Sequence, residues 1–380
     1  MSATATSSTP PFDVDALLDD RDTRIIVCCG AGGVGKTTTA AALGVRATER
    51  GRDAVVITVD PARRLAQSMG LAELDNTPRS VPLPADGAPS AGTLHAMMLD
   101  MKRTFDETVE AHADPERARQ ILANPFYQSL SSSFSGTQEY MAMEKLGQLR
   151  QSGDWDLIIV DTPPSRSALD FLDAPKRLGR FLDGRLIKFL AAPAKTGAFR
   201  LIGAGVGMVT GIIGKIVGAQ VLKDVQTFVT AFDAVFGGFQ ERAERTYRLL
   251  QAPGTAFIVV AAPESDALRE ASYFIDRLRE DHMPLAGIVL NRVHRTAVRD
   301  LPPERGLAAA ETLETSGEHP VAAAALRLHA ERARVHERET RLREELTSAH
   351  PEVPVIDVPA RPEDVHDLEG LREIGRALAD

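Results

Sequence analysis

Gly30-Ala31-Gly32-Gly33-Val34-Gly35-Lys36-Thr37-Thr38 decides how the rest of this chain is read. An apolar, β-branched run, Ile25-Ile26-Val27-Cys28-Cys29, leads into it, and a helical run of Thr, Ala and Leu continues to Arg50. Strand, glycine turn and helix in that order turn the pattern G-x-x-x-x-G-K-[ST] into a phosphate-binding loop. Glycines let the backbone curl until consecutive N–H groups point at one phosphate, and the helix N-terminus adds partial positive charge. In such a loop Lys36 reaches the β- and γ-phosphates and the Thr37 hydroxyl ligates Mg²⁺. The stretch predicts binding of a nucleoside triphosphate.

Outward from the loop, Ala54-Val55-Val56-Ile57-Thr58-Val59-Asp60 predicts a second buried strand, stopped by Pro61. Asp60 then stands at a strand's C-terminal end, where open α/β sheets place their ligands. A proline-rich loop spans 76–92, and Thr93–Leu99 predicts a third strand. Apolar residues at helical spacing fill 102–150, broken by Pro115 and Pro125. Trp155-Asp156-Leu157-Ile158-Ile159-Val160-Asp161-Thr162-Pro163-Pro164 is next, a hydrophobic strand ending in an aspartate. That is the form of a Walker B element, with Asp161 holding the magnesium through water.

Residues 171–251 again carry a helical pattern, and 255–262 and 285–291 predict two more strands with a helix at 266–279 between them. One long charged helical stretch at 307–346, a last strand at 353–358 and a closing helix at 364–378 complete the chain. Strands alternating with helices predict a doubly wound, mostly parallel α/β P-loop sheet. The ATPase domain is expected over 23–380, with an all-helical subdomain inserted at about 100–150 and 172–252. Residues 1–22, rich in Ser, Thr, Ala and Pro and then acidic, read as a flexible tail and not a signal peptide. Cytoplasmic location follows as an expectation, with peripheral attachment to a membrane as an option.

The net charge of −9 speaks against a nucleic-acid partner. Only two cysteines occur, Cys28 and Cys29, and both read as buried strand thiols. The nine histidines show no metal spacing. His329 and His336 fall on a charged run that reads as a solvated face, where Glu337–Arg341 and Glu339–Arg343 are ordinary i,i+4 pairs. Gly203, Gly207 and Gly211, then Gly214 and Gly218, set small residues four apart in an apolar segment too short to span a bilayer. Such a stripe suits tight helix packing or a groove for an apolar client helix.

Together, the loop, Asp60-Pro61-Ala62, Asp161-Thr162-Pro163-Pro164 and the helical insertions resemble the ArsA family of anion-transporting ATPases. That family belongs to the MinD/ParA-like branch of P-loop proteins and includes the ATPase that targets tail-anchored membrane proteins. The likeness runs from about Thr23 to the C-terminus. It implies a Mg²⁺-dependent, ATP-hydrolysing dimeric switch that handles a hydrophobic client helix or a membrane protein. A nucleotide-binding scaffold and the motor of an anion or metalloid efflux pump are the alternatives. On the family pattern Asp60 and Lys36 are the catalytic residues, Asp60 placing the attacking water. Residues 30–38 (Gly30, Ala31, Gly32, Gly33, Val34, Gly35, Lys36, Thr37, Thr38) bind ATP. Glu264 and Asn291 serve the ribose and base, and Thr37 and Asp161 hold the magnesium.

Departures from the pattern matter as much. Arg63 replaces the family's histidine after Asp60-Pro61-Ala62, and Ser165-Arg166-Ser167 replaces its Gly-His signal after Asp161. Cysteines for metalloid binding and a C-x-x-C zinc site are both missing. MinD/ParA-like loops carry a lysine that crosses a dimer interface at the position of Ala31. Alanine cannot supply that charge. Arg63, Arg64 or Arg166 could substitute within the chain, or a paralogous ATPase that kept the lysine could insert it, and the heterodimer is the favoured partner choice over the homodimer.

Overall fold

In the computed structural model the described residues are 10–59, 64–83, 92–125, 127–128, 137–163, 241–296, 298, 300–317 and 319–379. Asp60–Arg63, Pro164–Ser167 and the glycine stripe from Gly203 to Gly218 lie outside them. The chain divides into two compact units, one of Met1–Met98, Gly153–Ala168 and Leu250–Asp380, the other of Leu99–Ser152 and Leu169–Leu249.

The first unit is built on an eight-stranded sheet. Its strands are β1 (Ile25–Cys29), β2 (Ala54–Thr58), β3 (Arg79–Ser80), β4 (Leu94–Met98), β5 (Leu157–Asp161), β6 (Thr255–Ala261), β7 (Leu285–Val293) and β8 (Val355–Pro359). They run in the order β3-β4-β2-β5-β1-β6-β7-β8. Every neighbouring pair is parallel except β3 with β4. The expected mostly parallel sheet is therefore present, with the two-residue β3 as an addition that no apolar run announces.

β1 explains its own central place. All five of its residues are buried, because β5 and β6 flank it and both of its faces are covered. Ile26 and Cys28 share one cluster with Val56, Ile159, Ile258 and the alanine-rich face of the helix Lys36–Glu49. Small residues bring that helix close: a Cβ on Gly44 would lie 2.7 Å from Val56 Cγ2. Strands buried on both faces read as unbroken apolar runs, which is why the sequence located them.

Two expectations need correction. Residues 10–22 of the expected tail are folded. Phe12, Val14 and Leu18 are buried, and Val14–Asp19 is a helix capped by Asp13. Three arginines at the far end of the phosphate-loop helix account for this. Arg46 and Arg50 both bind Asp15, at 2.7 Å and 2.9 Å, and Arg50 also pairs with Asp19. Fully buried Arg52 donates to the carbonyls of Leu18 (3.1 Å), Asp20 (3.2 Å), Thr23 (2.6 Å) and Asp156 (2.7 Å). Burial pulls its pKa below the ordinary guanidinium value.

The long charged stretch is two helices, Pro303–Ser316 and Pro320–Ala349, and not one. Gly317 and His319 both adopt left-handed backbone between them. The pair folds back on itself: Arg327 of the second helix donates to Glu314 of the first at 2.6 Å.

The described residues of the second unit form helices at Met101–His112, Pro115–Leu122 and Thr137–Ser152 and at 241–249. Asp100 and Asp114 cap the first two by accepting from Arg103 N and Arg117 N. Buried-end ion pairs, Lys145–Glu107 at 3.2 Å and Arg242–Glu144 at 3.0 Å, cross between helices. Among the described residues no helix is long and apolar enough to cross a membrane.

Arg52→Met should lower the unfolding free energy by about 3 kcal/mol, since the carbonyls left behind lose charge-assisted donors. The check is a drop in the urea midpoint at unchanged slope, with Arg52→Lys recovering only part of it.

Candidate active site

The phosphate loop leaves β1 through a glycine that nothing else could replace. At Gly30 φ is +146°, and a Cβ there would stand 2.0 Å from the carbonyl oxygen of Val260 on the neighbouring strand. Gly35 closes the loop at φ +99° and forms the N-cap of the next helix, where it has no side chain of its own to cap the first turn. The first-turn N–H groups are thus directed at whatever sits in the loop, with the dipole's positive end behind them.

Lys36 opens the helix and is nearly buried, and its ammonium donates to Ala31 O at 2.7 Å. Thr37 Oγ1 donates to Asp161 Oδ2 at 2.7 Å, and Thr58 Oγ1 donates to the same oxygen at 2.8 Å. Asp161 is completely buried at the tip of β5, so the carboxylate links the ends of β2 and β5 to the loop helix. Thr162 Oγ1 donates to Cys28 O at 2.8 Å, anchoring the start of the following segment to β1.

Hydroxyl and carboxylate oxygens at Thr37 and Asp161 are hard donors, the type that suits Mg²⁺. The adjacent cysteines offer nothing comparable. Burial raises the Cys28 thiol well above its ordinary range, helped by the Asp161 charge, and pushes Cys29 up to about 12. Both are neutral thiols at physiological pH.

A cleft of about 810 Å³ opens over this loop, with Gly32, Lys36, Thr37, Arg64, Thr162 and Arg292 among its walls. A second cavity of about 290 Å³ adjoins it, sharing Gly35, Thr38, Arg292, Asp364 and Val365. Asn291 lines the second cavity and donates from Nδ2 to Val34 O at 2.8 Å, so its amide nitrogen braces the phosphate loop. Glu264 is the N-cap of the helix Ser265–Glu280, is exposed, and lines neither cavity. Lys36, Thr37 and Asp161 are brought together, Asn291 stands beside them, and Glu264 stands apart. Asp60 is outside the described residues.

Several residues at the site are not marked by the motifs: Thr58, through its bond to Asp161, and others that line the cleft. Thr58 and Thr162 sit at strand ends within quoted runs, where a hydroxyl beside the terminal aspartate is the available signal. Arg292 follows Asn291 directly, and Asp364 to His366 follow the last strand, at the sheet edge where ligands gather.

Comparison with known proteins identifies the family of the chain. A family model described as anion-transporting ATPase matches residues 23–305. ATPase GET3 of Malassezia globosa is 28% identical over 179 residues, which are 47% of this chain and 50% of that protein. The ATPase ASNA1 homolog of Entamoeba dispar is 24% identical over 291 residues, 76% of this chain and 81% of that protein. A Halobacterium salinarum protein named as an arsenical pump-driving ATPase is 30% identical over 204 residues, 49% of this chain and 30% of that protein. The family model runs from the start of β1 through β7 and so covers far more than a loop: this chain belongs to the anion-transporting ATPase family, and its enzymatic class is ATPase.

Proposed function

We propose that the chain is a Mg²⁺-dependent ATPase working in the cytoplasm as a dimeric switch, with ATP state governing its hold on a hydrophobic client helix or membrane protein. One observation carries the ATP chemistry: at the end of β1 Lys36 Nζ lies 2.7 Å from the loop carbonyl of Ala31, while Thr37 Oγ1 lies 2.7 Å from Asp161 Oδ2. Lys36 exchanges the Ala31 carbonyl for phosphate oxygens and, with the loop N–H groups, offsets the charge on the triphosphate. Thr37 and Asp161 would hold the magnesium, which when bound neutralises charge on the phosphate oxygens. Asp60 orients the water. The water's oxygen bonds to the γ-phosphorus as the bond from phosphorus to the bridging oxygen breaks and ADP leaves, and the water's proton passes to the Asp60 carboxylate.

Burial of both thiols supports the switch over a metalloid-pump motor, because neither sulfur is open to an incoming soft ion. Client handling rests on the sequence of the glycine stripe, Gly203 to Gly218, which lies outside the described residues.

Dimerisation with a paralogue rests on Ala31, whose buried methyl group stands where related loops carry a bridging lysine. One observation favours a second source of charge. Arg64 reaches the cleft wall, is exposed, and has no hydrogen bond or ion pair among the described residues. Each charge-assisted phosphate contact is worth about 1.5–3 kcal/mol, so either source would matter.

Lys36→Ala should lose ATP affinity, whereas Asp60→Asn should keep binding and lose turnover by about 10²-fold or more. Titration calorimetry and a steady-state phosphate-release assay separate the two; unimpaired hydrolysis by Asp60→Asn removes Asp60 from its role, and no hydrolysis by the unmodified chain, alone or with its paralogue, leaves a scaffold.

The chain alone should hydrolyse ATP weakly and accelerate when the paralogue is added, but not when that paralogue's loop lysine is alanine. Full activity of the lone chain, abolished by Arg64→Ala, assigns the charge to Arg64 instead. A photo-crosslinker at Val206 should capture a second chain in ATP; capture of neighbours within the chain alone, in every nucleotide state, reduces the stripe to internal packing.

A further inference from the structure

Arg292 stands in the cleft in a way that the phosphate chemistry does not explain. It is exposed, it lines both cavities, and it has no hydrogen bond or ion pair among the described residues. Its backbone is left-handed, with φ at +63°, a conformation that a residue with a Cβ disfavours. The cause is a bulge. Asn291 pairs with Val358 and Val293 pairs with Pro359, so Arg292 is an extra residue in β7 with no partner in β8. A bulge re-aims the side chain it carries, and here it does so at the C-terminal end of the strand.

The residues that follow hold this unfavourable backbone in place. His294 N donates to Glu339 Oε2 at 2.8 Å, and the His294 ring nitrogen Nδ1 lies 2.7 Å from Glu339 Oε1. His336 Nδ1 lies 2.9 Å from His294 O, and Ala360 N donates to Val293 O at 2.9 Å. Glu339 is only 6% exposed. Helical spacing alone pairs Glu339 with Arg343 and leaves His336 on a solvated face. Instead Glu339 and His336 grip the strand end, and Arg343 turns to Asp357 at 3.0 Å. Strained backbone survives only where its surroundings over-determine it, and such positions gather at ligand sites.

Direction along the sheet says which part of a nucleotide Arg292 meets. Thr58 and Asp161 mark the metal and terminal-phosphate side at β2 and β5. The nucleoside end of a triphosphate in the loop therefore extends the other way, past β6 to β7 and β8, where the smaller cavity lies. Resting on the nucleotide-binding reading above, the geometry points to Arg292 as a base-stacking residue. Its planar guanidinium covers the face of a purine in the smaller cavity, and Glu339, acting through His294, is the positioning residue that holds it there. Arginine suits this because its flat cation stacks on aromatic rings, which an ammonium does not do.

The test uses the full chain and measures Kd for ATP, ADP and inorganic tripolyphosphate by calorimetry. Arg292→Ala should weaken ATP and ADP by about tenfold or more and leave tripolyphosphate unchanged. Arg292→Lys should recover little. Glu339→Ala should weaken the nucleotides similarly and add nothing to Arg292→Ala, while Glu339→Gln, which keeps an acceptor, should restore binding. Equal loss of ATP and tripolyphosphate, or unchanged ADP affinity in Arg292→Ala, overturns the stacking role, and additive losses overturn the positioning role. Because Arg292 is exposed, its variants decide the stacking role even where Glu339→Ala does not fold. Wild-type protein that binds no nucleotide removes the proposed function itself; binding lost in Lys36→Ala but intact in Arg292→Ala removes this inference alone.

Discussion

The carboxylate of Asp161 is the interaction on which the rest depends. A fully buried charge costs several kcal/mol unless it is compensated, and here hydroxyls from Thr37 and Thr58 converge on one of its oxygens. Those bonds tie the first turn of the loop helix, the end of β2 and the tip of β5 to one atom. Glycine geometry does the complementary work. Gly30 lets β1 turn against the Val260 carbonyl, so the loop emerges beside β5 and β6 rather than being pushed away from them. A charge that must be satisfied and a turn that tolerates no Cβ together bring the loop to the side of the sheet where Asp161 stands.

The fold was legible because its strands are buried on both faces. Ile25–Cys29, Leu157–Asp161 and Thr255–Ala261 are unbroken apolar runs, and local composition is enough to find such runs. The phosphate loop was legible for a different reason, that its chemistry demands particular residue types at fixed spacing. What stayed hidden depends on pairing between distant segments. Residues 10–22 look like a tail because their partners, Arg46, Arg50 and Arg52, lie about thirty positions away.

Glu339 illustrates the same limit inside a helix. Helical spacing shows Arg343 four residues on, and that pairing is the natural reading. It cannot show that the helix lies against the end of β7, where His294 offers a main-chain N–H and a ring. The bulge at Arg292 is likewise invisible, since register belongs to two strands and not to one. The glycine at 317 was visible, but one left-handed residue within a helical pattern reads as tolerated until the antiparallel pairing shows a turn.

Sheets carry a hazard at their margins, because an outer strand offers unpaired N–H and C=O groups to any other extended chain. Both margins of this one are blunted. At one side lies β3, two residues long and antiparallel. At the other, residues 10–12 run beside β8: Phe12 N donates to Val355 O at 3.3 Å and Val355 N to Pro10 O at 3.2 Å, with Pro11 at the bridge. Proline has no N–H to give, so this added stretch cannot itself become a full template for another strand. The folded N-terminal residues thus act as a guard against self-association, and trimming them would uncover β8 as an adhesive edge.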